Sequence, residues 1–227
     1  MQLPSEVPLM TLPKTTLFPD AMLPLHIFEP RYRQMLSDAL HSNRMFSVAM
    51  QKPGRKHETP CRIGGLGLIR ASVASRDGTS HLVLQGLARV ELVETVRYKP
   101  YRIQRIRTLE TTGADSVVVD ALAAKVVELV SQRLEQGSPL PVQVLSKLEN
   151  APGQIGGPSL LSIQQIVEHL MKLDNPDRLA DLVSCTLLSK PAERQTILET
   201  PNLERRLKHL VHFLIREVQR NSKTKKQ

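Results

Sequence analysis

The sequence predicts an α+β protein, with a β-rich first half followed by a helical second half. Three observations carry this reading. Up to about residue 113, aliphatic and β-branched runs of strand length alternate with Gly, Pro, Asp and Ser clusters. The composition then changes at Thr111-Thr112-Gly113. Beyond that point apolar residues recur at three- and four-residue spacing, as on helices with one buried face.

The candidate strands are Val7–Leu12, Leu23–Phe28, Met45–Gln51, Ile63–Ser75, Ser80–Val96 and Tyr101–Leu109. Asp77-Gly78 marks a hairpin, because these residues tolerate the positive φ of a tight turn. Gly86 lies inside a long strand and marks a bulge or bend. One helix interrupts the strands: Pro30 suits a first turn, and Tyr32, Met35, Leu36, Ala39 and Leu40 share a face. Lys52–Pro60, with Pro53-Gly54 and several charges, reads as an exposed loop.

In the second half, Asp115 is placed to cap a long helix carrying Val118, Leu122, Val126, Leu129, Val130 and Leu134, ended by Gly137-Ser138-Pro139. A second helix is expected around Val142–Leu148. A loop follows at Pro152–Pro158, then a third helix from Ser159 through Leu173. Asn175-Pro176 opens a fourth, with Leu179, Leu182 and Val183 inward, and Pro191–Leu198 is short. Pro201 opens the last helix. Its apolar face is Leu203, Leu207, Leu210, Val211, Leu214, Ile215 and Val218, and Arg205, Arg206, Lys208, Arg216 and Glu217 form a solvated face. The expected organisation is a β-rich subdomain over 1–113, a helical one over 114–220 and a disordered basic tail over 221–227.

Aromatic residues make up only 3% of the chain and there is no Trp, so the core is aliphatic. Cys61 and Cys185 sit far apart without paired spacing, the pattern of buried thiols in a reducing compartment. No apolar run reaches membrane-span length and no secretory leader is evident, which points to the cytoplasm. The net charge of +9 is uneven: residues 1–113 hold 16 basic and 9 acidic residues, so the positive field belongs to the first half.

Three motif sets resemble the N-terminal, substrate-handling domain of Lon proteases. The first is Pro8-Leu9-Met10-Thr11-Leu12, Leu17-Phe18-Pro19 and Leu23-Pro24-Leu25-His26-Ile27-Phe28-Glu29-Pro30-Arg31-Tyr32. The second joins Ile63-Gly64-Gly65-Leu66-Gly67-Leu68-Ile69 through Arg76-Asp77-Gly78-Thr79 to Leu82–Val90, similar to a V-x-G-x-x-R strand. The third is Asp177–Val183, Glu193-Arg194-Gln195, Leu198-Glu199 and Leu203–Leu210 in the helical half. Their order spans about Val7 to Arg220. The resemblance implies a small twisted sheet or pseudo-barrel with one inserted helix, joined to a helical bundle. It also implies a non-catalytic module that binds unfolded polypeptide or a protein partner.

Catalytic motifs are not found. Gly64-Gly65-Leu66-Gly67 is followed by Leu68-Ile69-Arg70 and lacks the Lys-Ser/Thr of a phosphate cradle, so these glycines read as strand residues. The Lon Ser-Lys dyad belongs to a peptidase domain, and Ser189-Lys190 are sequence neighbours that do not face each other on a helix. His209 and His212 have no third ligand at metal-site spacing, and His26 reads as a core-edge residue. No catalytic residue, metal or cofactor is expected.

Phe18 and Met22, in the turn between the first two strands, are the expected exposed anchors for a polypeptide. The alternative ligand is nucleic acid or another anion, held by Arg97, Lys99, Arg105 and Arg107 with Tyr98 and Tyr101 interleaved. Strand alternation puts Arg105 and Arg107 on one face and Arg102 on the other, which splits that charge.

Overall fold

The computed structural model describes residues 2–55, 58–114, 116–136, 168 and 170–224. The chain forms two compact units, Met1–Glu110 and Thr111–Gln227.

The first unit contains β1 (Glu6–Leu12), β2 (Met22–Ile27), α1 (Pro30–Leu40), β3 (Met45–Met50), β4 (Ile63–Ala74), β5 (Ser80–Arg97) and β6 (Arg102–Thr108). The sheet order is β2-β5-β4-β3-β1-β6, and β5 also pairs with β6. Five strands therefore close on themselves, leaving β2 as an added edge strand. Strand β5 makes this possible through its length of 18 residues. Its first part, Ser80–Gln85, pairs with β2, whereas Val90–Arg97 pairs with β6. Register shifts leave one extra residue in β5, Leu87, opposite Leu66 and Gly67, and one in β4, Arg70, between Ile69 and Ala71, and both bend the hairpin.

Two cores follow from the alternation of side chains, with the register shift at Leu87 carrying Leu84 and Val90 of β5 to opposite sides. Val7, Leu9, Met45, Ala49, Leu66, Val90, Leu92 and Ile106 fill the closed barrel. On the other side of the same strands, Met10, Phe46, Val48, Ile69 and Leu84 pack with Leu17, Tyr32, Met35, Leu36 and Ala39. Strand β3 is consequently buried at every position. The β4–β5 hairpin turns at Asp77-Gly78: Gly78 has φ +80, and Asp77 Oδ1 accepts from the Thr79 N–H at 2.9 Å.

The second unit contains α2 (Val117–Glu135), α3 (Pro176–Leu187), α4 (Pro191–Leu198) and α5 (Leu203–Thr224). Several expectations change here. Ser116 caps α2, its hydroxyl accepting from the Val119 N–H at 3.2 Å; Asp115 lies outside the described residues. Val119, not Val118, enters the core. Gly137-Ser138-Pro139, the helix near Val142–Leu148, the Pro152–Pro158 loop and Ser159 also lie outside the described residues. Asn175 caps α3 as expected, accepting from the Asp177 and Arg178 N–H groups. Asn202, rather than Pro201, marks the start of α5: its Oδ1 accepts from the Arg205 N–H at 3.0 Å. That helix continues to Thr224, four residues into the segment expected to be a disordered tail.

The largest correction concerns the face of α5. Arg206 is 0% and Glu217 2% exposed, so both lie in the buried stripe with Leu203, Leu207, Leu210 and Leu214. Each is held by partners from elsewhere in the unit. Arg206 donates to the Thr200 and Pro201 carbonyls at 2.8 and 3.1 Å and pairs with Asp177 and Asp181. Glu217 pairs with Arg133 of α2 at 2.6 Å and accepts from Ser189 Oγ at 2.9 Å. Val211, Ile215 and Val218 lie at the half-buried flanks.

Candidate functional site

Strand β2 is the only strand of the described sheet with one paired neighbour. Pro24 in its middle fits this position, because proline cannot donate to a ladder and is tolerated at an edge. Leu23, Leu25 and Ile27 point inward, whereas Met22, Pro24, His26 and Phe28 are exposed. Met22 is 42% and Phe28 59% exposed. Across the ladder these residues meet Gln85, Val83 and His81 of β5, and beyond His81 lies Val73 of β4, 68% exposed. His26 stacks on His81 with ring centroids 4.5 Å apart and lies 5.7 Å from the Phe28 ring. The result is a strip of exposed apolar and imidazole side chains beside a strand edge that has no strand partner among the described residues.

This arrangement corrects two expectations. Phe18 is not an exposed anchor: it is 0% exposed. Its segment lies so close to β5 that a Cβ on Gly86 would fall 1.9 Å from the Phe18 carbonyl oxygen. His26 is not a core-edge residue but part of the exposed strip. Met22 keeps its exposed position. A second exposed apolar side chain on this face is Phe28, which the alternation Met22-Pro24-His26-Phe28 against Leu23-Leu25-Ile27 already marks.

The basic residues do not form one surface charge. Arg105 is shared by Glu94 and by Glu6, the latter at 2.9 Å. Arg107 binds Glu91, its Nε donating at 3.0 Å. Those contacts, led by the Arg107 hydrogen bond, hold the Glu91 carboxyl below the ordinary carboxylate range. Arg97 lies 5.3 Å over the ring of Tyr101, and Lys99 is exposed in the β5–β6 connection. Tyr101, 5% exposed, donates to Asp38 at 2.6 Å and offers no stacking face.

Ser189 and Lys190 engage different groups. Ser189 Oγ donates to Glu217 at 2.9 Å, and Lys190 Nζ donates to Glu193 at 3.0 Å. Among the described residues no cluster of three His, Cys, Asp or Glu side chains is placed to hold a metal ion. Among them, too, no helix is long and apolar enough to cross a membrane.

Residues 6–216 match the family described as the ATP-dependent protease La (LON) substrate-binding domain. The chain belongs to that family. The Lon protease of Dictyoglomus thermophilum is 24% identical over 220 residues, covering 96% of this chain and 25% of the relative. That of Trichlorobacter lovleyi is 26% identical over 222 residues, covering 96% and 24%. The chain thus spans about a quarter of the length of the curated relatives it matches. Among solved structures, the N-terminal domain of Mycobacterium avium complex Lon protease aligns with a TM-score of 0.66 at 17% identity, covering 92% of this chain and 97% of that one. The Lon N-terminal domain protein from Xanthomonas campestris aligns at 0.61 and 20% identity, covering 92% and 98%. These likenesses establish the fold as that of Lon N-terminal domains.

Proposed function

We propose that this Lon-family domain is a non-catalytic polypeptide receptor that takes an extended, non-native segment along β2. The observation that carries this reading is the apolar strip of Met22, Phe28 and Val73 beside a strand edge with no described strand partner. An unfolded chain offers what such a surface lacks: peptide groups for the edge and alternate apolar side chains for the strip. Pro24 leaves the edge one donor short, which limits pairing between copies of the sheet and favours transient over permanent capture.

Covering the exposed part of Phe28 contributes about 1–2 kcal/mol, taken from the 1.5–3 kcal/mol of a fully buried large apolar side chain. That is about 5- to 30-fold in affinity. The test is fluorescence anisotropy with a labelled, uncharged apolar 12-residue peptide. Phe28→Ser and Met22→Ser are expected to weaken binding by about these factors, and Phe28→Lys to weaken it further. Unchanged affinity in Phe28→Lys would remove the reading.

The physiological role is then that of an adaptor or regulator of proteolysis, presenting clients to a separate protease or competing with its own receptor. Two thiols, Cys61 and Cys185, suit the reducing cytoplasm as its location. Nucleic-acid binding through Arg97, Lys99, Arg105 and Arg107 draws less support, because Arg105 and Arg107 already serve carboxylates.

A further inference from the structure

A groove of about 920 Å³ opens on the first unit, lined by the 58–62 segment and the second part of β5 with β6. This volume is within the range of sites that enclose a ligand, about 300–1,000 Å³. Four cationic side chains, Lys52, Arg62, Arg102 and Arg107, line it against two carboxylates, Glu58 and Glu91. The pairing leaves positive charge over. Glu91, its side chain 7% exposed, serves both Arg62 and Arg107, whose side chains remain 74% and 69% exposed. Arg102 donates to the Glu58 backbone carbonyl at 3.1 Å, which neutralises no charge. Among the described residues neither Lys52 nor Arg102 has a carboxylate partner. The guanidinium of Arg102 lies 5.6 Å over the ring of Tyr98, which is 68% exposed, and Val93 beside it is 55% exposed.

The chemistry of this lining selects among anions. A single-stranded nucleic acid needs a continuous cationic track and several stacking rings. Here Glu58 and Glu91 interrupt the track, and Tyr98 is exposed while Tyr32 and Tyr101 are each 5% exposed. An acidic polypeptide fits better. Its carboxylates are discrete, suit forked guanidiniums, and alternate with side chains that can lie on an aromatic ring.

We propose that the groove is a subsite for acidic polypeptide segments, with carboxylates bound by Lys52, Arg102 and the outer faces of Arg62 and Arg107, and a neighbouring aromatic side chain on Tyr98. The ligand class rests on the polypeptide-receptor reading, but the residues do not overlap with it. Val93 is ten residues beyond Val83 along β5, about 30 Å at strand rise.

The test uses the full chain and three labelled probes: a 12-residue Glu/Asp-rich peptide with two Phe, the uncharged apolar peptide, and a 12-nucleotide oligo-dT. The acidic peptide is expected to bind, and to weaken at least 10-fold in the double variant Lys52→Gln/Arg102→Gln and about 3- to 5-fold in Tyr98→Ser. Raising salt should weaken it, and Phe28→Lys should leave it unchanged. Because Arg102 also holds the Glu58 carbonyl, the thermal midpoint of each variant is measured. If the double variant is destabilised, Lys52→Gln/Tyr98→Ser decides, since both side chains are exposed. Three results would overturn the proposal: no binding of the acidic peptide, equal loss in Phe28→Lys, or oligo-dT binding more tightly and being lost in the same variants. Acidic-peptide binding lost in the groove variants, with no binding of the apolar peptide, would support the groove and sink the β2 reading.

Discussion

Gly86→Ala tests how β2 is positioned. Gly86 and the 17–21 segment are tied by two backbone hydrogen bonds, Asp20 N–H to Gly86 O at 2.9 Å and Gly86 N–H to Ala21 O at 2.8 Å. A methyl group at Gly86 would lie 1.9 Å from the Phe18 oxygen and 2.8 Å from its carbonyl carbon. The carbonyl must retreat by about 1 Å or more, and its movement is resisted because Phe18 is 0% exposed. Overpacking of this kind costs about 1–3 kcal/mol. Breaking one of the two hydrogen bonds adds about 1 kcal/mol. Alanine recovers about 0.5–1 kcal/mol through its lower entropy loss in a strand. The net expectation is a destabilisation of about 1–3.5 kcal/mol, or about 4–28 °C in the thermal midpoint of a unit this size. The assay is specific to the first unit: the chain has no Trp, and its three tyrosines, Tyr32, Tyr98 and Tyr101, all lie there. Urea unfolding followed by tyrosine fluorescence therefore reads that unit alone. Gly54→Ala is the contrast: nothing lies within 4 Å of its added methyl group, so only the φ of +73 opposes it, at about 1–2 kcal/mol. A Gly86→Ala variant within about 0.5 kcal/mol of the parent would refute the close-approach argument.

Other perturbations address the remaining charged and buried groups. Arg206→Ala leaves Asp181 buried beside a vacated guanidinium position and is expected to cost about 3–5 kcal/mol, read by far-ultraviolet circular dichroism in urea. In the second unit, Arg133→Met and Glu217→Leu should each destabilise strongly, while the double variant recovers much of the loss; additive single effects would contradict a coupled pair. The Tyr101 hydroxyl, donating to Asp38, holds that carboxyl below its ordinary range, with a smaller contribution from Gln34. A depressed folded-state value means that this contribution is present above the unfolded value of about 4 and lost as pH falls through the folded one. Tyr101→Phe should therefore raise the Asp38 titration midpoint by carboxyl NMR, and its stability deficit should shrink as pH falls below the unfolded value of about 4. A deficit that persists unchanged at low pH would assign the effect to packing.

The six strands lie within about one residue of where the alternation of apolar runs and the Asp77-Gly78 turn place them. Periodicity is a local property and survives without knowledge of partners. The α5 face shows where it stops. Arg206 and Glu217 are polar by composition, so spacing assigns them to water; they are buried because Asp177, Asp181, Arg133 and Ser189 come to meet them from other elements. For the site, the resemblance to Lon N-terminal domains points to a polypeptide ligand, and of the two side chains expected at the surface Met22 is exposed. The exposure of Phe28 is legible from the β2 alternation, whereas the burial of Phe18 is not, because it depends on how the 17–21 segment packs against Gly86.

The chain's own pattern determined the element types, the β-then-α order and the family, all of which are encoded in residues close in sequence. Tertiary structure alone decided that the two parts of β5 pair with different strands, closing a barrel while carrying β2 as an edge, because that pairing joins residues far apart in the chain. It also decided which cations keep surplus charge. Glu91 must serve Arg62 and Arg107 together, and only the meeting of β4, β5 and β6 brings one carboxylate between two guanidiniums.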